Sequence, residues 1–434
     1  MPISSGLNSD TIRVGIVLPE DEIRELTISW LPELTLESDL PDLKNVSSIT
    51  LSLMGDAIVV KNLANIVGQT SISLGCPDEV SGLSTKYGLH LYPVIAGRGF
   101  HWEKRIEVDL PGRLEISIQD GALKVINHVD VEAYVACVAT SEMGSEAPAD
   151  LLAAQTVVAR CWSLALAEAK HLSDGYDVCN DDCCQRYQGT SFLTKHSLQA
   201  AIETLGEVIV HEDKVIDARY SKNCGGMVEA YDTVWEGGPV PYLIPLWDAP
   251  EQKPGYAVDD FDAHFKYNEA YCSSTRFENV NLAGMLGKVD VSGSYYRWEQ
   301  TMTKADILKN LKKYTGLKWQ SLDDIRIMER GPSARIKYLF LMGKDENGEI
   351  AEQMVKSEYG IRQMFSKSFL YSSAFVIKNA ETLSTDDQVV LRGAGWGHGV
   401  GLCQMGALGM ALDGMSYQAI IKHYYPGTKL TSLR

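Results

Sequence analysis

VINHVDVEAYVACVATSEMGSEAPADLLAAQTVVAR, Val125 to Arg160, is where the pattern of this chain changes. From Val129 onward the apolar period becomes helical: Val131, Tyr134, Val135 and Val138 fall on one repeat, with Asp130 in place as an N-cap. After a break at Gly144 to Pro148, the stretch Ala149 to Lys170 is rich in Ala and Leu and free of Gly and Pro, which predicts a second helix. Two helices therefore flank a short turn holding Ser141, Glu142 and Met143. A carboxyl at a helix end, ahead of a Gly and a Pro, is expected to point into a cleft instead of lying on a solvated face.

Outward from this stretch, the N-terminal side is β-rich. Short runs with β character cover Ile12 to Leu18, Ser48 to Leu53, Ala57 to Val60, Leu89 to Val94, Arg105 to Val108, Leu114 to Ile118 and Leu123 to Ile126. Asp120-Gly121 between the last two predicts a hairpin turn. On the C-terminal side, mixed strands and loops run to about Pro250, and a polar stretch follows to about Ser294. Lys304 to Tyr314 then reads as a helix, and Ala334 to Met342 and Ala374 to Lys378 as strands. A Gly-rich loop, Gly393 to Gly406, leads into helical Ala407 to Leu412.

The chain has 434 residues, 45% hydrophobic and 22% charged, which suits an ordinary globular protein of two to three domains at ~150 residues each. Forty Lys and Arg against fifty-seven Asp and Glu leave a net charge of −17, which disfavours nucleic acid and anionic membrane surfaces as partners. No apolar run reaches the ~18 residues of a spanning helix. The start, MPISSGLNSDTIRVGIVLPEDE, lacks a basic segment followed by an apolar one, so no export signal is visible in it. Nine cysteines are odd in number and unevenly spread: Cys76, Cys137, Cys161, Cys224, Cys272 and Cys403 stand singly, and Cys179, Cys183 and Cys184 crowd together.

Four segments carry chemistry: the opening stretch; YDVCNDDCCQRYQG, Tyr176 to Gly189; ARYSKNCGG, Ala218 to Gly226; and GAGWGHGVGLCQMGALGMA, Gly393 to Ala411, followed by HYYPGTKL from His423. Their order and spacing resemble the SpoIID/LytB family, which groups stage II sporulation protein D lytic transglycosylases with the amidase enhancer LytB. Weaker pieces extend the resemblance: GPSARI from Gly331, Gly360 to Arg362, and SSAF from Ser372. The resemblance implies an α+β fold. A β-rich region, 1–111, would precede a mixed helix and strand catalytic domain with a substrate cleft, 112–434, carrying a variable insertion near 250–294.

The resemblance makes Glu142 the catalytic acid. A glycosidase normally needs two carboxylates. A lytic transglycosylase needs one, because the C6 hydroxyl of the muramic acid attacks its own anomeric carbon and a single Glu both donates and accepts the proton. Partial burial against Val138, Met143 and Ala147 is expected to help that carboxyl hold its proton. Arg160 matches the family motif and is expected to orient Glu142 or to bind sugar hydroxyls and a lactyl carboxylate through its planar fork, and Gln155 matches as well.

Closely spaced Cys179, Cys183 and Cys184, with His171 eight residues before the first, suit tetrahedral zinc; a vicinal disulfide or inert thiols are the competing readings. Family members carry Cys-x-x-x-His-Cys here and bind zinc. Cys183 stands where the family usually has His, so Cys179 and Cys184 are the firmer ligands. Trp396 and His398, displayed between glycines, suit a sugar-binding loop, and Gln404 is a matched polar position. Cys403 beside His398 suggests a thiol nucleophile, against which the family usually has Ser, making Cys403 a small buried residue. Tyr220, Ser221 and Asn223 precede a Gly pair and are either a structural turn or substrate contacts. His423 to Pro426 read as packing.

The leading expectation is a lytic transglycosylase cleaving the β-1,4 bond from N-acetylmuramic acid to N-acetylglucosamine in peptide-stripped glycan strands, leaving 1,6-anhydro ends. It would work outside the cytoplasm, with zinc as cofactor and a cell-wall amidase as further partner. The alternatives are a LytB-like enhancer that binds glycan or an amidase without cutting, and a zinc or thiol hydrolase using Cys179, Cys184 and His398.

Overall fold

The computed structural model describes residues 10–433 except 32, 35, 41–42, 44–45, 62–68, 79–82, 84–87, 100–102, 167–168, 252–259, 287–294 and 384. The chain forms two compact units, Met1–Asp217 with Ala283–Val289 and Lys429–Arg434, and Ala218–Leu282 with Asp290–Thr428. Of the insertion expected near 250–294, residues 252–259 and 287–294 lie outside the described ones.

Among the described residues the first unit begins with ten strands: β1 (Thr11–Val17), β2 (Glu25–Ser29), β3 (Glu37–Ser38), β4 (Ser48–Met54), β5 (Ala57–Val60), β6 (Ser71–Gly75), β7 (Leu89–Ala96), β8 (Lys104–Leu110), β9 (Arg113–Gln119) and β10 (Ala122–Asp130). Helices α1 (Val131–Glu142) and α2 (Ala149–Ala165) follow, then β11 (Val178–Cys179), α3 (Lys195–Glu203), β12 (Glu207–His211) and β13 (Lys214–Val215). One sheet has the order β11-β1-β10-β9-β6-β3 and another β5-β4-β2-β7-β8. Strands from both sides of residue 111 thus share the first sheet, β10 lying antiparallel between β1 and β9.

Asp120 and Gly121 both take positive φ, 51° and 75°, and close the β9–β10 hairpin with Gln119 opposite Ala122, the geometry in which an Asp-Gly pair matches the strand twist. Asp130 caps α1, accepting from the N–H groups of Glu132 (2.9 Å) and Ala133 (3.2 Å). α1 is buried on every side from Val131 to Ser141, and α2 is nearly so. Met143, in extended conformation, ends α1. α2 stops earlier than its composition predicts, at Leu166, whose φ of 43° turns the chain out of the helix.

The second unit holds β14 (Tyr220–Ser221), β15 (Met227–Val228), α4 (Tyr231–Val234), β16 (Leu246–Trp247), α5 (Phe261–Lys266), β17 (Arg297–Thr303), α6 (Lys304–Thr315), β18 (Trp319–Arg330), β19 (Ile336–Asp345), β20 (Ile350–Lys356), α7 (Glu358–Met364), β21 (Phe375–Ile377), β22 (Gln388–Ala394), β23 (Leu402–Cys403), α8 (Gln404–Leu412) and α9 (Tyr417–Tyr424). Its core gathers Ile307, Leu311, Leu339, Leu341, Ile361, Phe365, Phe375 and Leu391. A last strand, β24 (Lys429–Ser432), pairs with β12 of the first unit. Helices and sheets are mixed throughout both units, an α+β fold. Among the described residues no helix is long and apolar enough to cross a membrane.

Candidate functional site

Glu142 is the last residue of α1 and is half-buried. Its Oε1 accepts the backbone N–H of Arg186 at 2.9 Å. The loop that brings Arg186 there, residues 180–188, is fastened along its length. Cys184 N–H donates to the Asp181 carbonyl, Tyr187 N–H to the Asn180 carbonyl, and Gln188 N–H to Ser141 Oγ (3.1 Å), one residue before Glu142. Tyr134 Oη donates to Gln185 Oε1 (3.1 Å) and Tyr187 Oη to Asn127 Oδ1 (2.8 Å), tying the loop to α1 and β10. From the other side Arg98 donates to Asn180 Oδ1 and, through its backbone, to Asp181 Oδ2, each at 2.7 Å. The Arg186 guanidinium pairs with Asp182 Oδ1 at 3.0 Å. Partial burial pushes the Asp182 carboxyl upward, Arg186 pulls it down, and the charges of Asp181 and Glu142 add to the rise. Arg186 and Asp182 therefore belong with Glu142. Both stand in the Cys-rich segment Tyr176 to Gly189, where no local pattern sets them apart from the cysteines.

The same loop starts at the cysteines. One ligand atom each from His171, Cys179, Cys183 and Cys184 lies within 4.8 Å of the others. Cys183 Sγ stands 3.5 Å from His171 Nε2 and 3.9 Å from Cys184 Sγ. Cys183 and His171 thus share one cluster with Cys179 and Cys184, the Sγ atoms of Cys179 and Cys183 lying 2.7 Å apart. Asp174 Oδ2 contacts His171 Nδ1 at 3.1 Å, and Tyr176 stacks on the ring at 4.8 Å, so Nε2 is the nitrogen turned to the sulfurs. A carboxylate behind a histidine whose other nitrogen faces thiols is the usual outer support of a zinc ligand, and this donor set fits zinc.

Arg160 differs from expectation. Its fork is turned to Glu132, with Nε at 3.0 Å from Oε1, and Nη1 donates to the Glu207 carbonyl at 3.0 Å; the side chain is 1% exposed. Glu132 Oε1 also accepts the Gly206 N–H. A buried guanidinium needs such a partner, and Glu132, seven positions N-terminal to Ala139 on the inner side of α1, supplies it. Gln155 is fully buried in α2.

The remaining candidates gather in the second unit. β14 and β23 run parallel, Tyr220 opposite Leu402 and Ser221 opposite Cys403. Asn223 and Trp396 exchange backbone hydrogen bonds (3.0 and 2.8 Å). Trp396 is half-buried, its ring 3.9 Å from Tyr295 and 5.4 Å from Tyr371. Asn223 is buried and structural: Oδ1 accepts Gly225 N–H and Nδ2 donates to the Cys272 carbonyl. Gln404 is buried as well, and Ser221 is nearly so.

His398 Nδ1 accepts the Val400 N–H at 3.1 Å, and its ring meets Trp235 edge-on at 4.9 Å. Burial, then the charges of Arg219, Arg335 and Arg362, hold its pKa well below the ordinary imidazole value, so it is a neutral polar group and no proton donor of imidazolium type. Arg335, in GPSARI, carries no local signature of its role in the sequence. It is fully buried and donates to the carbonyls of Gly397 (3.1 Å) and Cys224 (3.1 Å), joining the two loops. Gly399 is required there, because a Cβ would lie 2.3 Å from Arg335 Cζ. The expected packing role of the His423 to Pro426 run agrees with Tyr424 and Tyr425, both buried.

Residues 119–211 match the family profile described as Stage II sporulation protein, and residues 229–401 match a domain of unknown function (DUF8618). The amidase enhancer of Bacillus subtilis is 28% identical over 310 residues, which cover 67% of this chain and 39% of that protein. An uncharacterized protein of Brachyspira hyodysenteriae is 26% identical, covering 74% of this chain and 72% of its own length. Stage II sporulation protein D of Bacillus subtilis is 22% identical, covering 73% and 79%. The chain thus carries a SpoIID domain in its first unit, and these matches support the SpoIID/LytB family for it. It spans about two fifths of the amidase enhancer's length.

Proposed function

We propose that this protein is a lytic transglycosylase acting on peptidoglycan outside the cytoplasm, with Glu142 as its single general acid and base. The observation that carries the reading is the Glu142 carboxyl at the end of a fully packed helix, gripped through Oε1 by the Arg186 N–H of a fastened loop. A rigid, half-buried carboxyl is what one-residue acid and base chemistry needs. Glu142 gives its proton to the bridging oxygen as the bond from that oxygen to muramic C1 breaks. The C6 hydroxyl oxygen of the same sugar then bonds to C1, and its proton returns to Glu142. No water enters, so the new end is a 1,6-anhydro ring.

Arg160 serves this site as a positioning residue, locking α1 to α2 through Glu132. His171, Cys179, Cys183 and Cys184 would hold zinc, which when bound fixes the start of the loop that carries Arg186; it takes no part in the proton transfers. Within the second unit, taken by itself, Tyr220, Ser221, Trp396 and His398 are proposed to contact sugar, Trp396 offering an aromatic face and His398 a neutral hydrogen-bonding ring.

A second reading has its own support: the Bacillus subtilis relative is named an amidase enhancer, and under that reading this chain would bind glycan or an amidase without cutting. One experiment decides. Wild type and Glu142→Gln are incubated with peptide-free glycan strands and the products weighed by mass spectrometry. Anhydro ends from wild type, with the rate about 10²- to 10⁴-fold lower for Glu142→Gln, are expected. Reducing ends instead would mean hydrolysis, and intact strands that still bind would favour the enhancer.

A further inference from the structure

We propose that Cys224, Asp248, Cys272 and Cys403 form a second metal site in the second unit, taking one zinc ion in a closed set of three thiolates and one carboxylate. The inference is independent of the activity proposed above, and these residues are separate from the cluster at His171. In sequence they are singletons, up to 179 positions apart, and nothing in their spacing marks them. The fold collects them: Cys224 follows β14, Asp248 follows β16, Cys272 follows α5 in the polar stretch, and Cys403 ends β23.

Three observations converge. The first is distance: one ligand atom from each residue lies within 4.8 Å of all the others, and Cys224 Sγ is 3.6 Å from Cys272 Sγ. A tetrahedral zinc with sulfurs at ~2.3 Å sets neighbouring sulfurs roughly 3.8 Å apart. The second is burial. All four residues are at most 1% exposed, and among the described residues the basic group recorded against Asp248 is His423, its Nε2 4.0 Å from Oδ1, with no Lys or Arg paired to it. A carboxylate and three thiols enclosed together call for a cation among them.

The third is that the donors are already aimed. Asp248 Oδ1 accepts from Tyr424 Oη (2.6 Å) and Oδ2 from Cys272 N–H (2.9 Å). Cys403 Sγ accepts from the N–H groups of Cys224 (3.1 Å) and Gly406 (3.3 Å), the latter in the first turn of α8. Outer hydrogen bonds of this kind orient metal ligands and favour thiolate over thiol. Gly406 leaves room for the arrangement, since a Cβ there would lie 2.2 Å from Tyr424 Oη and 2.5 Å from Asp248 Oδ1. Soft thiolates in a closed set select zinc over magnesium or calcium. Bound there, zinc staples the loop of Asn223, the polar stretch at Cys272 and the Gly-rich loop ending at Cys403.

The test uses the full chain with Cys179→Ser and Cys184→Ser, which removes the first cluster and leaves seven of nine cysteines. After zinc loading and removal of free metal, elemental analysis should find about one zinc per chain, and adding Cys272→Ser should abolish it. Cobalt in place of zinc should give a thiolate charge-transfer band that Cys272→Ser lacks. Where the triple variant does not fold, cobalt titration of Cys272→Ser alone against wild type should read one equivalent fewer. A metal-free chain with no cobalt band overturns the proposal. So does a disulfide joining two of Cys224, Cys272 and Cys403, found by peptide mapping under denaturing, non-reducing conditions together with a count of five free thiols instead of seven.

Discussion

At the residue scale, Glu132 and Arg160 make a pair that neither can leave cheaply. Arg160 is 1% exposed and the Glu132 side chain 10% exposed, so removing one strands the other's charge in the interior. Glu132→Ala should therefore destabilise the protein by about 3–5 kcal/mol in denaturant titration, and replacing both by Leu should recover much of that loss. Were Arg160 a sugar ligand, Arg160→Lys would cut cleavage while leaving stability alone; as a positioning residue it should lower both together. His264 makes a pH prediction. It is 3% exposed, and burial, followed by the charges of Arg297, Arg335 and Arg330, pushes its pKa down to about 3. Unfolding returns the imidazole to about 6.5, so between these values the unfolded chain holds the extra proton. Its contribution is intact above about pH 6.5 and drains away as pH falls toward 3. His264→Asn should flatten the fall in stability over that range, and an unchanged acid limb would refute the assignment.

At the element scale, α1 links a cap to a candidate catalytic group. Asp130 satisfies two N–H groups at its start, and Glu142 stands at its end. Asp130→Ala should cost about 0.5–2 kcal/mol by thermal unfolding and lower cleavage more than binding, because the helix end carries the carboxyl. This element was legible in the sequence: cap, apolar period and Gly-Pro break all point the same way, and so did the Asp-Gly hairpin. Strands β2, β18 and β20 were not. ELTIS is short, WQSLDDIRIMER is mostly polar, and IAEQMVK has its apolar residues in adjacent pairs instead of alternating, so their pairing comes from partners elsewhere in the chain, which periodicity cannot see. The same limit explains the site. Glu142 and the close-set cysteines sit in local motifs, whereas Glu132 facing Arg160, Arg186 N–H facing Glu142 and the meeting of Cys224, Cys272 and Cys403 are tertiary facts with no local signature.

At the scale of the whole molecule, the net charge of −17 becomes informative once a substrate class is proposed. Glycan strands stripped of stem peptides carry a free lactyl carboxylate on each muramic residue, so protein and polymer have the same sign. Salt screens exposed charges over about 8–10 Å at 0.1–0.15 M. The long-range repulsion from the body of the protein should therefore weaken with added salt, while a short, partly enclosed contact is screened less. Binding of peptide-free strands should hold steady or tighten between about 0.05 and 0.2 M salt, opposite to a basic protein on the same polymer, whose affinity falls. Measuring affinity across that range with Glu142→Gln keeps the strands uncut. A steep loss of affinity with salt would mean that local cations such as Arg186 dominate the encounter and that the overall acidity has no bearing on it.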